Sequence, residues 1–155
     1  KWINYLINLY FCFQIRPWSR NKMKLLIKEP KYFLWDWALC EDEGKKAENF
    51  VAVHLLKAVN YWNDMGIGDY ELYFLRDLKK KEVDFLLTKN NKPWIMIEVK
   101  KADESLSSSL IYFYNHLKPE HAFQVVIDMD YKNINCFDYT SPTVVPAKTF
   151  LSQLF

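Results

Sequence analysis

The fold of this chain is decided by residues 82–100, which read EVDFLLTKNNKPWIMIEVK. Two apolar runs, residues 82–87 and 94–100, are joined by a polar segment that contains Lys, Asn and Pro. Short apolar runs that are bounded by turn-forming residues are typical of β-strands. We therefore predict a β-hairpin with a slightly long loop over residues 88–93.

Neighbouring segments extend this hairpin into a larger domain. Residues 71–75 read as a third strand, and residues 47–59 carry apolar side chains at the spacing of a helix with one buried face. Residues 106–117 repeat the helical spacing, and residues 123–129 form another apolar run. The order of helix, three strands, helix and strand predicts an α/β (α+β) fold, with a mixed sheet covered by helices.

The residues before this domain are less regular. The apolar segment 2–15 predicts the end of a helix that runs into a strand, and residues 16–21 read as a turn. Residues 24–28 and 32–34 then read as short strands. Together they resemble a β-hairpin with a third strand after it.

Length and composition limit the classes of function. A chain of 155 residues, half of them hydrophobic, fits one compact domain with a substantial core. Three glycines and no GxxxxGK[ST] run exclude a phosphate-binding P-loop from this sequence. Three widely spaced cysteines predict a reducing, cytoplasmic setting. The uncharged residues 2–15 are too short to cross a bilayer, so no membrane partner is expected.

Charged residues on the predicted hairpin are the candidates for a catalytic metal site. Side chains alternate across a strand, so Glu98 and Lys100 share one face, and hairpin pairing can bring Asp84 close to Glu98. Two neighbouring carboxylates repel each other unless a cation neutralises them. With a backbone carbonyl, for which Val99 is the candidate, they suit Mg²⁺ or Mn²⁺. Lys100 would activate a water or stabilise phosphate charge, as in metal-assisted phosphodiester hydrolysis.

Glu48 adds a separate indication. It projects near the apolar face of the helix predicted over residues 47–59, and an inward carboxylate needs a partner such as a metal or Lys100. Two simpler interpretations stay open. The acidic and basic residues of the hairpin can form an ordinary cross-strand ion pair, and Glu48 can be a first-turn acid that the helix dipole favours.

Two non-enzymatic functions are also open. The basic residues Arg16, Arg20, Lys22 and Lys24 lie in or beside the predicted turn and can bind nucleic acid without cutting it. The six Trp and ten Tyr residues suit a protein-interaction domain, although filling the core is the simpler use for them. The net charge of +2 neither requires nor excludes a nucleic-acid partner.

Several segments of the chain, taken together, carry a family resemblance. They are PKYFLWD (30–36), GKKAENFV (44–51), EVDF (82–85) with Arg76 before it, IEVK (97–100), and VPA (145–147) with Phe150 and Leu151. These segments resemble the PD-(D/E)XK nuclease superfamily. More closely, the chain is similar to the C-terminal region of a family of bacterial and archaeal AAA+ ATPases of uncharacterised function, and the resemblance covers nearly the whole chain.

This resemblance implies a restriction-endonuclease-like fold over residues 41–155. It implies that residues 1–40 are the tail of a winged-helix region, and that a P-loop ATPase module lies upstream in the same polypeptide. In the superfamily pattern Asp84 and Glu98 are metal ligands, Lys100 is the catalytic lysine and Glu48 is the first-helix acid. The leading expectation is therefore a Mg²⁺-dependent nuclease domain that acts on DNA.

Overall fold

A computed structural model describes residues 2–19 and 29–155 of the chain. The helices of this part are α1 (Trp2–Asn8), α2 (Glu43–Asp64), α3 (Ser108–Leu117) and α4 (Ala147–Leu151). Short 3-10 helices cover Trp37–Leu39 and Cys136–Asp138. The strands are β1 (Cys12–Pro17), β2 (Lys31–Leu34), β3 (Tyr70–Arg76), β4 (Glu82–Lys89), β5 (Lys92–Lys100), β6 (His121–Val126) and β7 (Thr143–Pro146).

The strands of the described residues form one mixed sheet in the order β2-β1-β3-β4-β5-β6-β7. Neighbours β2/β1, β3/β4 and β4/β5 are antiparallel, whereas β1/β3, β5/β6 and β6/β7 are parallel. Parallel neighbours need a crossover connection, and α3 provides it between β5 and β6. The predicted α+β class with a mixed sheet flanked by helices is confirmed.

The two faces of the sheet carry separate apolar clusters. On one face, Leu55 of α2 belongs to the same buried cluster as Phe85 of β4 and Phe123 of β6. On the other face, Leu110 of α3 belongs to the cluster of Leu86. Because β4 and β5 are covered on both faces, their sequences read as nearly continuous apolar runs. Glu98, which lies inside β5, is therefore a buried charged residue.

Helix α2 is longer than its apolar pattern predicts. The Asp42 carboxylate accepts a hydrogen bond of 2.7 Å from the Lys45 backbone N–H and caps the first turn. The helix continues to Asp64, five residues beyond the apolar spacing that ends at residue 59. The buried Trp62 extends the apolar face, and its ring centroid lies 5.0 Å from that of Tyr70.

The hairpin turn is tighter than predicted. Lys89 pairs with Lys92, which leaves only Asn90 and Asn91 between β4 and β5. Their φ angles are 50° and 63°, as a type I′ turn requires at both central positions. Asparagine tolerates this left-handed region better than most residues. The long loop expected over residues 88–93 is therefore wrong.

The first segment also differs in detail from its prediction. A helix followed by a strand is confirmed by α1 and β1. Arg16 lies in β1, aligned with Tyr73 of β3, so the expected turn does not begin at residue 16. The strand predicted over residues 24–28 lies outside the described residues. Within those that are described, no helix is both long and apolar enough to cross a membrane.

Candidate metal centre

The register of the β4–β5 hairpin positions the two carboxylates of the candidate site. Phe85 pairs with Ile97, which places Asp84 across from Glu98 one step beyond the last paired residues. The Asp84 Oδ2 atom accepts a hydrogen bond of 2.8 Å from the backbone N–H of Val99. This bond fixes the Asp84 side chain against the backbone of β5, beside Glu98.

Glu98 is a buried carboxylate in which only one of the two oxygen atoms has a hydrogen-bond partner among the described residues. The residue is 7% exposed, and its Oε1 atom accepts a hydrogen bond of 2.8 Å from the Lys100 ammonium group. Its Oε2 atom is buried and has no hydrogen-bond partner among the described residues. A buried carboxylate oxygen without a donor or a cation costs free energy, because it has lost its hydration.

Glu48 reaches the same region from α2, but through a partner that the sequence did not single out. The Lys31 Nζ atom, at the start of β2, lies 2.8 Å from the Glu48 Oε1 atom. The same ammonium group forms a salt bridge with Glu82 and lies 4.0 Å from the Asp84 Oδ1 atom. The inward carboxylate of Glu48 is therefore neutralised by Lys31, where we had expected Lys100 or a metal.

A side-chain clamp explains how Lys31 reaches this position. The Asn49 amide, next to Glu48 in α2, accepts a bond of 2.8 Å from the Leu34 N–H and donates one of 2.6 Å to the Leu34 carbonyl. Both backbone groups of Leu34 are thereby satisfied by one buried side chain. The clamp holds β2 against α2 and sets Lys31 opposite Glu48.

The electrostatic environment of Asp84 is unusual for a carboxyl group. Burial is the first cause that raises its pKa, and the negative charges of Glu48 and Glu98 raise it further, to about 8. The Val99 N–H and the Lys31 ammonium act in the opposite direction without cancelling these effects. Asp84 therefore gains from a further cation more than an ordinary aspartate does.

The two lysines of the site keep their charge despite partial burial. Burial lowers the pKa of Lys31, but the effects of Glu48, Glu82 and Asp84 together outweigh it, so the pKa is raised overall. Burial likewise lowers the pKa of Lys100, and the hydrogen bond and charge of Glu98 more than offset this effect. Both side chains are therefore ammonium groups at neutral pH.

Asp84, Glu98 and the Val99 carbonyl are the candidate ligands for a small divalent cation. Across residues 2–19 and 29–155, no three His, Cys, Asp or Glu side chains form a group that could hold a metal ion. Mg²⁺ commonly binds through one or two carboxylates and keeps several waters. Asp84 and Glu98 would supply two carboxylates, and the Glu98 Oε2 atom, which is buried without a partner among the described residues, is the observation that favours a cation there.

Of the four basic residues predicted to bind nucleic acid, the structure describes only one. Arg16 is exposed in β1, and Arg20, Lys22 and Lys24 lie outside the described residues. Lys31 and Glu82 were not predicted as site residues. Glu82 stands two positions before Asp84 in the same strand, so side-chain alternation is a signal that could have indicated it.

A family comparison adds to this geometry. Residues 43–150 match a family described as a domain of unknown function, DUF4143. The chain belongs to this family. The matched range begins at the first residue of α2 and therefore contains Glu48, Asp84, Glu98 and Lys100 but not Lys31. No curated protein and no solved structure matches the chain significantly.

Proposed function

We propose that this DUF4143 domain is a divalent-metal-dependent nuclease-like domain that acts on DNA phosphodiester bonds. The observation that carries the proposal is the Glu98 carboxylate, buried with one oxygen unpaired, across the hairpin from Asp84. A shared cation removes the cost of the unpaired oxygen and opposes the burial and the repulsion that raise the Asp84 pKa.

Each residue of the site has a distinct role in this proposal. Asp84, Glu98 and the Val99 carbonyl would hold Mg²⁺ or Mn²⁺, which supplies Lewis acidity toward a phosphoryl oxygen. Lys100 has a partly exposed side chain and remains charged, so it can contact a phosphate at the rim of the site. Glu48 acts indirectly, because it holds Lys31 near Asp84.

The proposed setting of the domain comes from its family. DUF4143 domains are often found in proteins associated with AAA ATPases. We propose that this domain works with an ATPase module upstream in the same polypeptide and resides in the cytoplasm. The alternative is a domain of that ATPase that binds nucleic acid or protein without cleavage.

The decisive experiment is a cleavage assay on single-stranded, duplex and branched DNA with Mg²⁺ or Mn²⁺. We expect cleavage by the wild type and a loss of about 100-fold or more in Asp84→Ala, as for other removals of charge stabilisation. Asp64→Ala is the matched control, because Asp64 is exposed at the end of α2. Its cleavage should equal that of the wild type.

Two outcomes would contradict the proposal in different ways. Cleavage that persists unchanged in Asp84→Ala would remove Asp84 from the mechanism. No cleavage by any form, with DNA binding that weakens steeply with salt and ignores metal, would instead support the non-cleaving alternative.

A further inference from the structure

A cavity of about 270 Å³ opens between the first turns of α2 and the ends of β5 and β6. The aromatic rings of Trp37 and Phe50 line it. The charged residues that line it are Glu43, Lys46, Lys101 and Asp128. The cavity therefore combines flat apolar walls with hydrogen-bonding groups of both kinds, since ammonium groups donate and carboxylates accept.

The chain itself places this cavity next to the candidate metal centre. Lys101 directly follows Lys100, the proposed phosphate contact, and successive residues of a strand are about 3.3 Å apart. Ala47, another lining residue, directly precedes Glu48. The Asp128 backbone N–H donates a hydrogen bond of 2.9 Å to the Lys101 carbonyl, which joins the ends of β5 and β6. A DNA strand with a phosphate at Lys100 therefore has its neighbouring nucleotides within reach of the cavity.

A short capped turn presents the Trp37 ring to solvent. The Asp36 side chain accepts a hydrogen bond of 3.0 Å from the Ala38 backbone N–H and caps the 3-10 helix Trp37–Leu39. The Trp37 ring packs edge-to-face with Phe50 of α2, with the ring centroids 5.1 Å apart, and Trp37 is still 38% exposed. An indole that is anchored in this way and open to solvent can stack on a ligand with little loss of side-chain entropy.

The charges around the cavity select against an anionic occupant. The Glu43 Oε2 atom lies 3.3 Å from the Lys101 Nζ atom, and its Oε1 atom lies 3.5 Å from the Lys46 Nζ atom. Both ammonium groups are thus already paired with a carboxylate, and Asp128 adds a second carboxylate to the lining. A phosphate inside the cavity would be repelled by these carboxylates. A neutral aromatic ring with donors and acceptors on its edge, such as a nucleobase, fits both the walls and the rim.

We propose that this cavity binds one unpaired nucleobase of the DNA strand that the candidate metal centre cleaves. This inference rests on the proposed function, because that function places a phosphodiester at Lys100, beside the cavity. The base would stack on the Trp37 ring, and its edge would contact the charged groups of the rim. A base held in this way cannot at the same time be paired and stacked in a duplex. The substrate is therefore single-stranded DNA, or the unpaired part of branched DNA.

The first test is the binding of fluorescently labelled DNA, measured by anisotropy with a chelator and again with Ca²⁺, which also takes oxygen ligands. The wild type should bind a single strand more tightly than a duplex of the same sequence. Trp37→Ala should bind the single strand about tenfold more weakly, as for loss of one base–aromatic stack, and the duplex as the wild type does. The matched control is Trp2→Ala, which removes an 83% exposed indole on α1 and should change neither affinity.

The second test uses a single strand with one abasic site and maps the cleaved bonds along it with Mg²⁺. Cleavage by the wild type should fall about tenfold at the bond that lies a fixed number of nucleotides from the lesion, and should be unchanged elsewhere. In Trp37→Ala the lesion should have no further effect, because the base and the indole are two parts of one contact. A purely structural role of Trp37 would not produce this dependence on position.

Circular dichroism of the same samples monitors folding, and if Trp37→Ala does not fold, the lesion profile of the wild type decides alone. Equal single-strand binding by the wild type and Trp37→Ala, or a cleavage profile that ignores the lesion, would overturn the inference. The proposed function would then still stand on Asp84-dependent cleavage. Trp37-dependent binding without cleavage in any metal would instead refute the proposed function and keep the base-binding cavity. Binding of neither DNA by the wild type would overturn both.

Discussion

Replacement of Asp84 by Asn should stabilise the protein, by an amount that grows with pH. The pKa of Asp84 is raised from 3.8 to about 8 in the folded state, first by burial and then by the charges of Glu48 and Glu98. The unfolded chain releases this proton at a lower pH than the folded protein does. The wild type therefore has its full stability below the pKa of Asp84 in the unfolded chain. It loses this contribution as the pH rises through the pKa of Asp84 in the folded protein.

The magnitude follows from the separation of the two pKa values. Each pKa unit corresponds to about 1.4 kcal/mol, so ionisation of Asp84 in the unfolded chain lowers the stability of the wild type by about 2 kcal/mol at pH 5 and about 4 kcal/mol at pH 7. An asparagine keeps an oxygen acceptor for the Val99 N–H and carries no charge that burial would penalise.

The assay is urea unfolding of the wild type and Asp84→Asn at several pH values between about 5 and 8, with a chelator present. The difference in unfolding free energy should increase with pH, while the control Asp64→Asn should differ from the wild type by a constant. Addition of Mg²⁺ should stabilise the wild type more than Asp84→Asn. A difference that does not change with pH, or a variant less stable than the wild type throughout, would refute this reasoning.

Three further predictions concern the scaffold. Asn49→Ala should lower the unfolding free energy by about 2–3 kcal/mol, because the N–H and carbonyl of Leu34 lose their partner. An unchanged urea midpoint would contradict the clamp. Leu55→Ala should cost about 3 kcal/mol, since Leu55 is fully buried, and a thermal midpoint equal to the wild type would be inconsistent with that packing. Asn91→Gly should raise stability by about 0.5 kcal/mol in a thermal scan, because its φ of 63° suits glycine; a lower midpoint would argue against the type I′ turn.

Short-range patterns carried most of the fold prediction. Apolar runs and helical spacing predicted β3, β4, β5 and α2, since each pattern depends on neighbouring residues. The turn was misjudged because Thr88 and Lys89 look like loop residues but extend β4, while two asparagines adopt positive φ. The parallel pairing of β1 with β3 joins residues far apart in sequence, and no local pattern indicates it.

The candidate site, like the fold, could be predicted from the sequence only in part. That Asp84 and Glu98 lie on adjacent hairpin strands followed from the sequence, but the register that sets Asp84 across from Glu98 did not, because it depends on the two-residue turn. The role of Lys31 did not follow from the sequence either, since it depends on β2 lying next to β1 and on the Asn49 clamp to α2. The partner of Glu48 was therefore the part of the site that needed the full three-dimensional fold.

The central claim is that Asp84 and Glu98 share a divalent cation, and a crystal grown with Mn²⁺ tests it most directly. Anomalous scattering should show one peak between the two carboxylates, with oxygen atoms about 2.1 Å away and the Val99 carbonyl among them. A crystal of Asp84→Asn grown under the same conditions should lack the peak. A wild-type crystal at saturating Mn²⁺ with no peak there, or with Mn²⁺ bound only elsewhere, would contradict the account.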